Sequence, residues 1–325
     1  MATLTLTANV ATRRNRSLSL IAMRSPALFT LPAELIINIL ELALTDTRPR
    51  YLAFISKLIH HFVNAILYRT VVLDSATTIG LFHRTVTSKS LAPCHVRRLV
   101  ILGTSESILS SKICQLHEIV AACPNLRTLD APSLLYTTKT PVIKHFITAN
   151  GPMELTLQTF EDPDNTPHAF SLLHMQGFAS VTHLRICEPS DTWSSPLSIV
   201  ATFRYLPSLT HLQLSRRTNS NEDNDAIFTK EVHHLLETRR ALKMLVISVF
   251  NSQTWLSSAT VVESNIWTLV SPIRASDRRL VLLEGEYDAW KEEWGASRRS
   301  YGGAVPTDFW KAVQRQVDLD VSIDT

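Results

Sequence analysis

The chain has 325 residues, room for one to three domains at ~150 residues each and for a sizeable core, which excludes a peptide hormone or a disulfide mini-scaffold. With 45% apolar and 19% charged residues the composition is globular, while glycine, 8 in 325, falls well below the usual ~7% and is too sparse for a glycine-rich phosphate loop. The formal charge of +3 is concentrated at the start. Residues 1–33 hold Arg13, Arg14, Arg16 and Arg24 and no acid, so the other 292 residues carry 28 basic and 29 acidic side chains and present no basic stripe for nucleic acid.

Residues 1–30 are rich in Ser, Thr, Ala and Arg, a composition shared by disordered tails and transit peptides, and their apolar residues lack a 3.6 period. A disordered basic tail is the expectation there. From Leu31 the pattern changes. Leu31-Pro32 precedes Glu34, and Leu35, Ile36, Ile39, Leu40, Ala43 and Leu44 recur at helical spacing, with Pro32 and Glu34 suited to a first turn. After a polar break at 45–49, Leu52, Ile55, Ile59, Phe62, Val63, Ile66 and Leu67 predict a second, longer helix. Two such helices cannot bury all their apolar surface against each other, so they must pack on the rest of the chain or on a partner.

LPAELIINILELA at 31–43, followed by YLAFISKLIHHFVNAILYRTVVL at 51–73, resembles the F-box of fungal, basidiomycete-type F-box proteins with degenerate leucine-rich repeats. The residues that carry the likeness are the opening Leu-Pro-x-Glu-Leu, then Ile55-Ser56-Lys57 and Leu67-Tyr68-Arg69-Thr70. The resemblance implies docking to the Skp-type adaptor of a cullin-RING ubiquitin ligase through Leu31, Pro32, Leu35, Ile39, Leu40 and Ile55, with Glu34 as part of the motif. The chain departs from the pattern after Ser56, where Leu58, Ile59 and His60 stand in place of a basic residue and a nearby aromatic one. Two plain core helices at the start of a domain would have the same periodicity.

Farther along, one phrase recurs: VRRLVI at 96–101, LRTLDA at 126–131, PMELTL at 152–157, VTHLRI at 181–186, LTHLQL at 209–214 and LKMLVI at 242–247. Its central residues are Leu99, Leu129, Leu155, Leu184, Leu212 and Leu245, and the period near 28 is that of leucine-rich repeats. Each phrase predicts a strand and each intervening segment a returning helix, as in an α/β solenoid. Residues 68–73 supply an earlier strand with Val71 placed 28 residues before Leu99. Thr140-Pro141 and Ser195-Pro196 read as helix starts, and Ile113, Leu116, Ile119, Val120 and Cys123 as a buried helical stripe. The expected organisation is a tail (1–30), an F-box-like helical head (31–67), an irregular leucine-rich-repeat solenoid (68–275) and a C-terminal segment (276–325) whose Tyr287, Trp290, Trp294, Phe309 and Trp310 cap the far end. A strand followed by a Trp-containing stretch and a Gly-Gly…Asp-Phe-Trp close also resembles the tails of that fungal family.

Alternation along each strand predicts that the residues flanking the central leucine stand on an open face. His183, Arg185, His211 and Gln213 then form a polar ladder, offered as part of a client-binding face; a merely solvated strand face is the alternative. His183 with His211 lacks a third metal ligand, His233-His234 with Glu237 is not a zinc-protease motif, and His60-His61 reads as helix surface. No GxSxG elbow is present, so neither catalytic residues nor cofactors are expected. NSNEDND at 219–225 reads as a surface loop between repeats, open to a basic client.

Cys94, Cys114, Cys123 and Cys187 match neither a zinc knuckle nor a redox pair and read as reduced, mostly buried thiols. The longest uncharged stretch in the body, 244–262, is interrupted by Asn251, Ser252, Gln253 and Thr254, so no membrane span is expected. With no secretory h-region in the first residues, a cytoplasmic or nuclear setting is the expectation. The sequence thus predicts a non-catalytic substrate adaptor of a Skp-cullin-F-box type ligase, holding an unidentified client protein, with no nucleic acid or membrane partner. Two rivals stand beside it: a repeat-type interaction scaffold without ligase association, and an enzyme with an unrecognised site.

Overall fold

The structure is a computed structural model and describes residues 30–88, 92–102, 106–132, 153–160, 179–203, 206–251, 260–299 and 309–323. The expected tail over 1–30, apart from its last residue, and the Thr140-Pro141 helix start lie outside them. Three helices open the fold: α1 (Ala33–Asp46), α2 (Pro49–Ala53) and α3 (Lys57–Leu67). Strands and helices then alternate: β1 (Thr70–Leu73), α4 (Ala76–Thr87), β2 (Arg98–Ile101), α5 (Glu106–Ala122), β3 (Thr128–Ala131), β4 (Glu154–Leu157) and β5 (His183–Ile186). They continue through α6 (Pro196–Thr202), β6 (His211–Arg217), α7 (Glu222–Thr238), β7 (Met244–Phe250), α8 (Asn265–Ser276), β8 (Leu280–Gly285), α9 (Ala289–Arg299) and α10 (Phe309–Ile323).

The eight strands form one open, wholly parallel sheet in chain order from β1 to β8, so the fold is α/β. Its register aligns the recurring phrase: Val71, Leu99, Leu129, Leu155, Leu184, Leu212, Leu245 and Leu280 are successive partners across the sheet. All six central leucines are fully buried. Two residues on, Ile101, Ala131, Leu157, Ile186, Leu214 and Ile247 share that face and join one continuous core with Ile113, Leu116 and Ile119 of α5, Phe228, Val232 and Leu235 of α7, and Ile266 and Val270 of α8.

Local chemistry sets where the connecting helices begin. Ser75 caps α4 by accepting from the Thr78 N–H, in a reciprocal capping box. Ser195 caps α6 in the same way, with Pro196 in the first turn where its missing N–H costs nothing. The acidic run differs from its expected loop: Asn221 accepts from the Asp223 and Asn224 amides, so Glu222 to Asp225 form the first turn of α7, where carboxylates favour the positive helix end. Asp225 is buried there against Arg216. The single helix expected after residue 50 is also two, α2 and α3, because Ser56 takes extended backbone and caps α3 through the Ile59 N–H.

The aromatic C-terminal segment does not cap the far end of the sheet. The turn after β8 brings α9 and α10 back over the face opposite α4 to α8. Gly285 lets this turn pass the Phe250 ring, which a Cβ there would overlap, and Asp288, at φ 65°, donates its backbone N–H to Glu188 at 2.6 Å. Trp290 and Trp294 of α9 pack on Val72, Val100 and Cys187, while Trp310 and Val313 of α10 pack on Met244, Val246 and Val281. Large rings gain more buried area on apolar strand positions than at a rim.

Two outcomes test this packing. Leu184→Ala removes a fully buried side chain from the middle of the row and lowers unfolding stability in urea by about 2–5 kcal/mol. The thiols divide two and two: Cys94 and Cys114 are exposed, whereas burial pushes the Cys123 and Cys187 thiols up to about 12. A thiol reagent at pH 8 therefore modifies Cys94 and Cys114 in the native protein and all four cysteines in denaturant.

Candidate docking surfaces

The helical head has two apolar stripes. Ile36 and Leu40 of α1 face Ile59 and Val63 of α3 and close a small core of their own. The second stripe faces away from it. Leu31, Leu35, Ile39 and Leu42 along α1, and Tyr51, Phe54, Ile55 and Leu58 around the α2–α3 turn, are all exposed, Leu42 by 70%, Phe54 by 85% and Ile55 by 65%. Isolated exposed leucines are ordinary, but eight large apolar side chains between residues 31 and 58 are the composition of an interaction surface. The head is held to the body by an Arg69–Glu41 ion pair at 2.6 Å, by Tyr68 stacked over Phe82, and by His61 edge-on to His95 at 5.2 Å. Burial, with the neighbouring His61 and Arg97, keeps the His95 pKa below its ordinary value.

Of the adaptor-contact residues expected from sequence, Leu31, Pro32, Glu34, Leu35, Ile39 and Ile55 are exposed on this head. Leu40 is not. It is 3% exposed and packs in the head core, so its role is structural: at a turn of ~100° per residue, positions 36 and 40 face α3 while 35, 39 and 42 turn outward. Leu42, Tyr51, Phe54 and Leu58 extend this surface beyond the motif residues. The signal for Leu42 was its i+7 spacing from Leu35, and for Phe54 and Leu58 the apolar residues left over once Ile59 and Val63 are assigned inward.

The polar ladder on the sheet is covered, contrary to the open face expected for it. His183 and His211 stack at 4.2 Å with their rings 8° apart, and the Trp310 ring lies over both at 5.5 and 5.3 Å. Trp310 donates its indole N–H to Glu154 at 3.1 Å. Arg185 and Gln213 are buried. Arg185 binds Glu293 of α9 through Nη1 at 2.7 and 2.9 Å, donates from Nε to Gln213 at 2.8 Å, and lies 3.9 Å from the Phe309 ring centre. Gln213 in turn donates to Ser248 at 2.8 Å, and Arg98 donates to the buried Asp130 at 2.7 Å. Burial disfavours the Arg185 cation, but Cys187, Glu293 and Asp130 around it outweigh that cost, so its pKa is raised. These residues join the C-terminal helices to the sheet, leaving no free ladder for a client. The apolar face positions Val100, Met244 and Val246 were the signal that something covers this side.

The remaining histidine pairs lie where the helix surface puts them: His60, His61, His233 and His234 are exposed, and His233 meets Glu237 one turn on. Among the described residues no group of three His, Cys, Asp or Glu could hold a metal ion, and no helix is long and apolar enough to cross a membrane.

The buried Arg185–Glu293 pair yields a direct test. Glu293→Ala strands a largely buried guanidinium, so the variant loses about 2–4 kcal/mol of stability and α9 becomes cleavable by limited proteolysis before the strands do. Compared with models of known protein families the chain matches none, and the search of curated proteins found no match.

Proposed function

We propose that the chain is the substrate-recognition adaptor of a Skp-cullin-F-box type ubiquitin ligase. In this reading α1 to α3 are an F-box-like head that docks the Skp-type adaptor, and the sheet with its returning helices is an irregular leucine-rich-repeat solenoid that holds a client protein. The observation that carries it is the outward apolar stripe of the head, Leu31, Leu35, Ile39, Leu42, Phe54 and Ile55, in a segment whose sequence resembles the F-box. A folded head with its own small core and a second apolar surface left to solvent fits a partner that binds across helices. The return of a register partner every 26–35 residues supports an irregular solenoid.

The mechanism is proximity. Tethering the client beside the transferring enzyme raises the effective concentration of its lysines, and no bond-making residue in this chain takes part. Co-purification with a Skp-type adaptor at about 10 μM tests the reading, since a specific interface of ordinary size holds at that concentration. A complex is expected, and the double substitution Leu35→Asp with Ile39→Asp abolishes it while leaving urea stability within about 0.5 kcal/mol, both side chains being exposed. A folded protein that forms no complex, or a variant that binds as before, refutes the ligase role.

A further inference from the structure

At the C-terminal ends of β5 and β6, where an open parallel sheet meets its loops, lies a cavity of about 250 Å³. Its floor is apolar, built from Phe160, Ile186, Leu214 and Phe228, and its rim carries Ser194, Asn224, Arg216 and Arg217. The α9–α10 cover crosses other parts of the sheet and contributes none of the described residues of this lining.

Two buried donors on the rim, Arg217 Nε and Ser194 Oγ, have no hydrogen-bond partner. Arg216 lies 4.4 Å from the Trp193 ring centre and donates from Nε to Asp225 at 2.9 Å. Its Nη2 is ion-paired with the same oxygen at 2.8 Å, so the donors left buried without a partner are Arg217 Nε and Ser194 Oγ. Burial outweighs Asp225, leaving the Arg216 pKa below its ordinary value. Leaving such donors unsatisfied is costly, and an acceptor entering the cavity would relieve it.

One such acceptor is already present. Asp191 binds Arg217 Nη2 at 2.5 Å, yet its side chain is 94% exposed, so little holds it there. The other acids are committed: Asp225 is buried against Arg216 and accepts from Asn265, and Glu188 accepts from the Asp288 amide and Gln158. Exchanging Asp191 for an incoming carboxylate leaves the charge of the cavity unchanged, whereas a phosphate dianion would add an uncompensated negative charge beside Asp225 and Glu188. We propose that this cavity binds a carboxylate of a polypeptide, from an acidic side chain or a chain terminus, which displaces Asp191 from Arg217 while the neighbouring apolar residue rests on Phe160 and Phe228. That the ligand is a polypeptide rests on the client-holding role proposed above.

The test presents the full chain with random dodecapeptides displayed with free or amidated C-termini. Selected peptides are expected to share an Asp or Glu at one position, or to require the free terminal carboxylate, which separates the two sources. For a selected peptide, Arg217→Gln weakens binding by ~10-fold, as loss of a charge-assisted hydrogen bond does. Asp191→Ala, which removes only an exposed competitor, tightens it about threefold. Selection of no peptide, selection without preference for an acid, or binding that Asp191→Ala leaves unchanged or weakens overturns the proposal. The same preparations are assayed for Skp-type adaptor: peptide selection lost with adaptor binding retained overturns the cavity alone, and the reverse overturns the ligase reading alone.

Discussion

The structure depends on register. Because every strand pairs with the one before it in parallel, a leucine that recurs at nearly constant spacing falls on the same line of the sheet from Leu99 to Leu245, and that line is where α5, α7 and α8 find their apolar contacts. A slip of one residue would turn each leucine to the other face and put Arg185 and Gln213 into the helix layer. The cost of burying those groups without their partners is what makes the register unique.

The opposite face obeys a different logic. Its outer strands offer apolar positions, Val72 and Val100 at one side and Val246 and Val281 at the other, and its middle offers Asp130, Arg185 and Gln213. Two tryptophan-bearing helices cover the outer positions and the polar groups between them pair with one another or with Glu293. The sheet is therefore packed on both sides, and the two surfaces proposed above for partners, the outward stripe of the head and the loop end of β5 and β6, lie outside this packing. This division separates what holds the fold from what is available to bind.

Much of the fold could be read in advance because it depends on short-range pattern. The strand phrase, the α5 stripe and the Ser195-Pro196 start each follow from spacing or from one backbone rule, and each stands in the structure where the sequence put it. The misreadings came where a distant segment decides. Nothing near Arg185 announces that Glu293, 108 residues on, will bind it, and a strand position flanking a leucine looks the same whether water or a helix lies above it. Leu40 was misassigned for a nearer reason: the α1 apolar residues cover two faces, and a stripe that wide does not say which edge meets α3. The acidic run from 219 to 225 misled because charge suggests solvent, while the capping geometry of Asn221 and the partner Arg216 decide its place.

The return of α9 onto β1 and β2 also changes how the molecule comes apart and comes together. A row of units that touch only their neighbours can fray from either end, one unit at a time. Here Trp294 in the last part of the chain rests against Val72 and Val100 near its start, a closure spanning some two hundred residues. A contact of such long sequence separation carries a large loop-closure cost, so it raises the contact order above that of a sheet whose strands touch only their neighbours and slows folding. The first strands then cannot peel away without releasing α9, which ties the beginning of the sheet to the end of the chain.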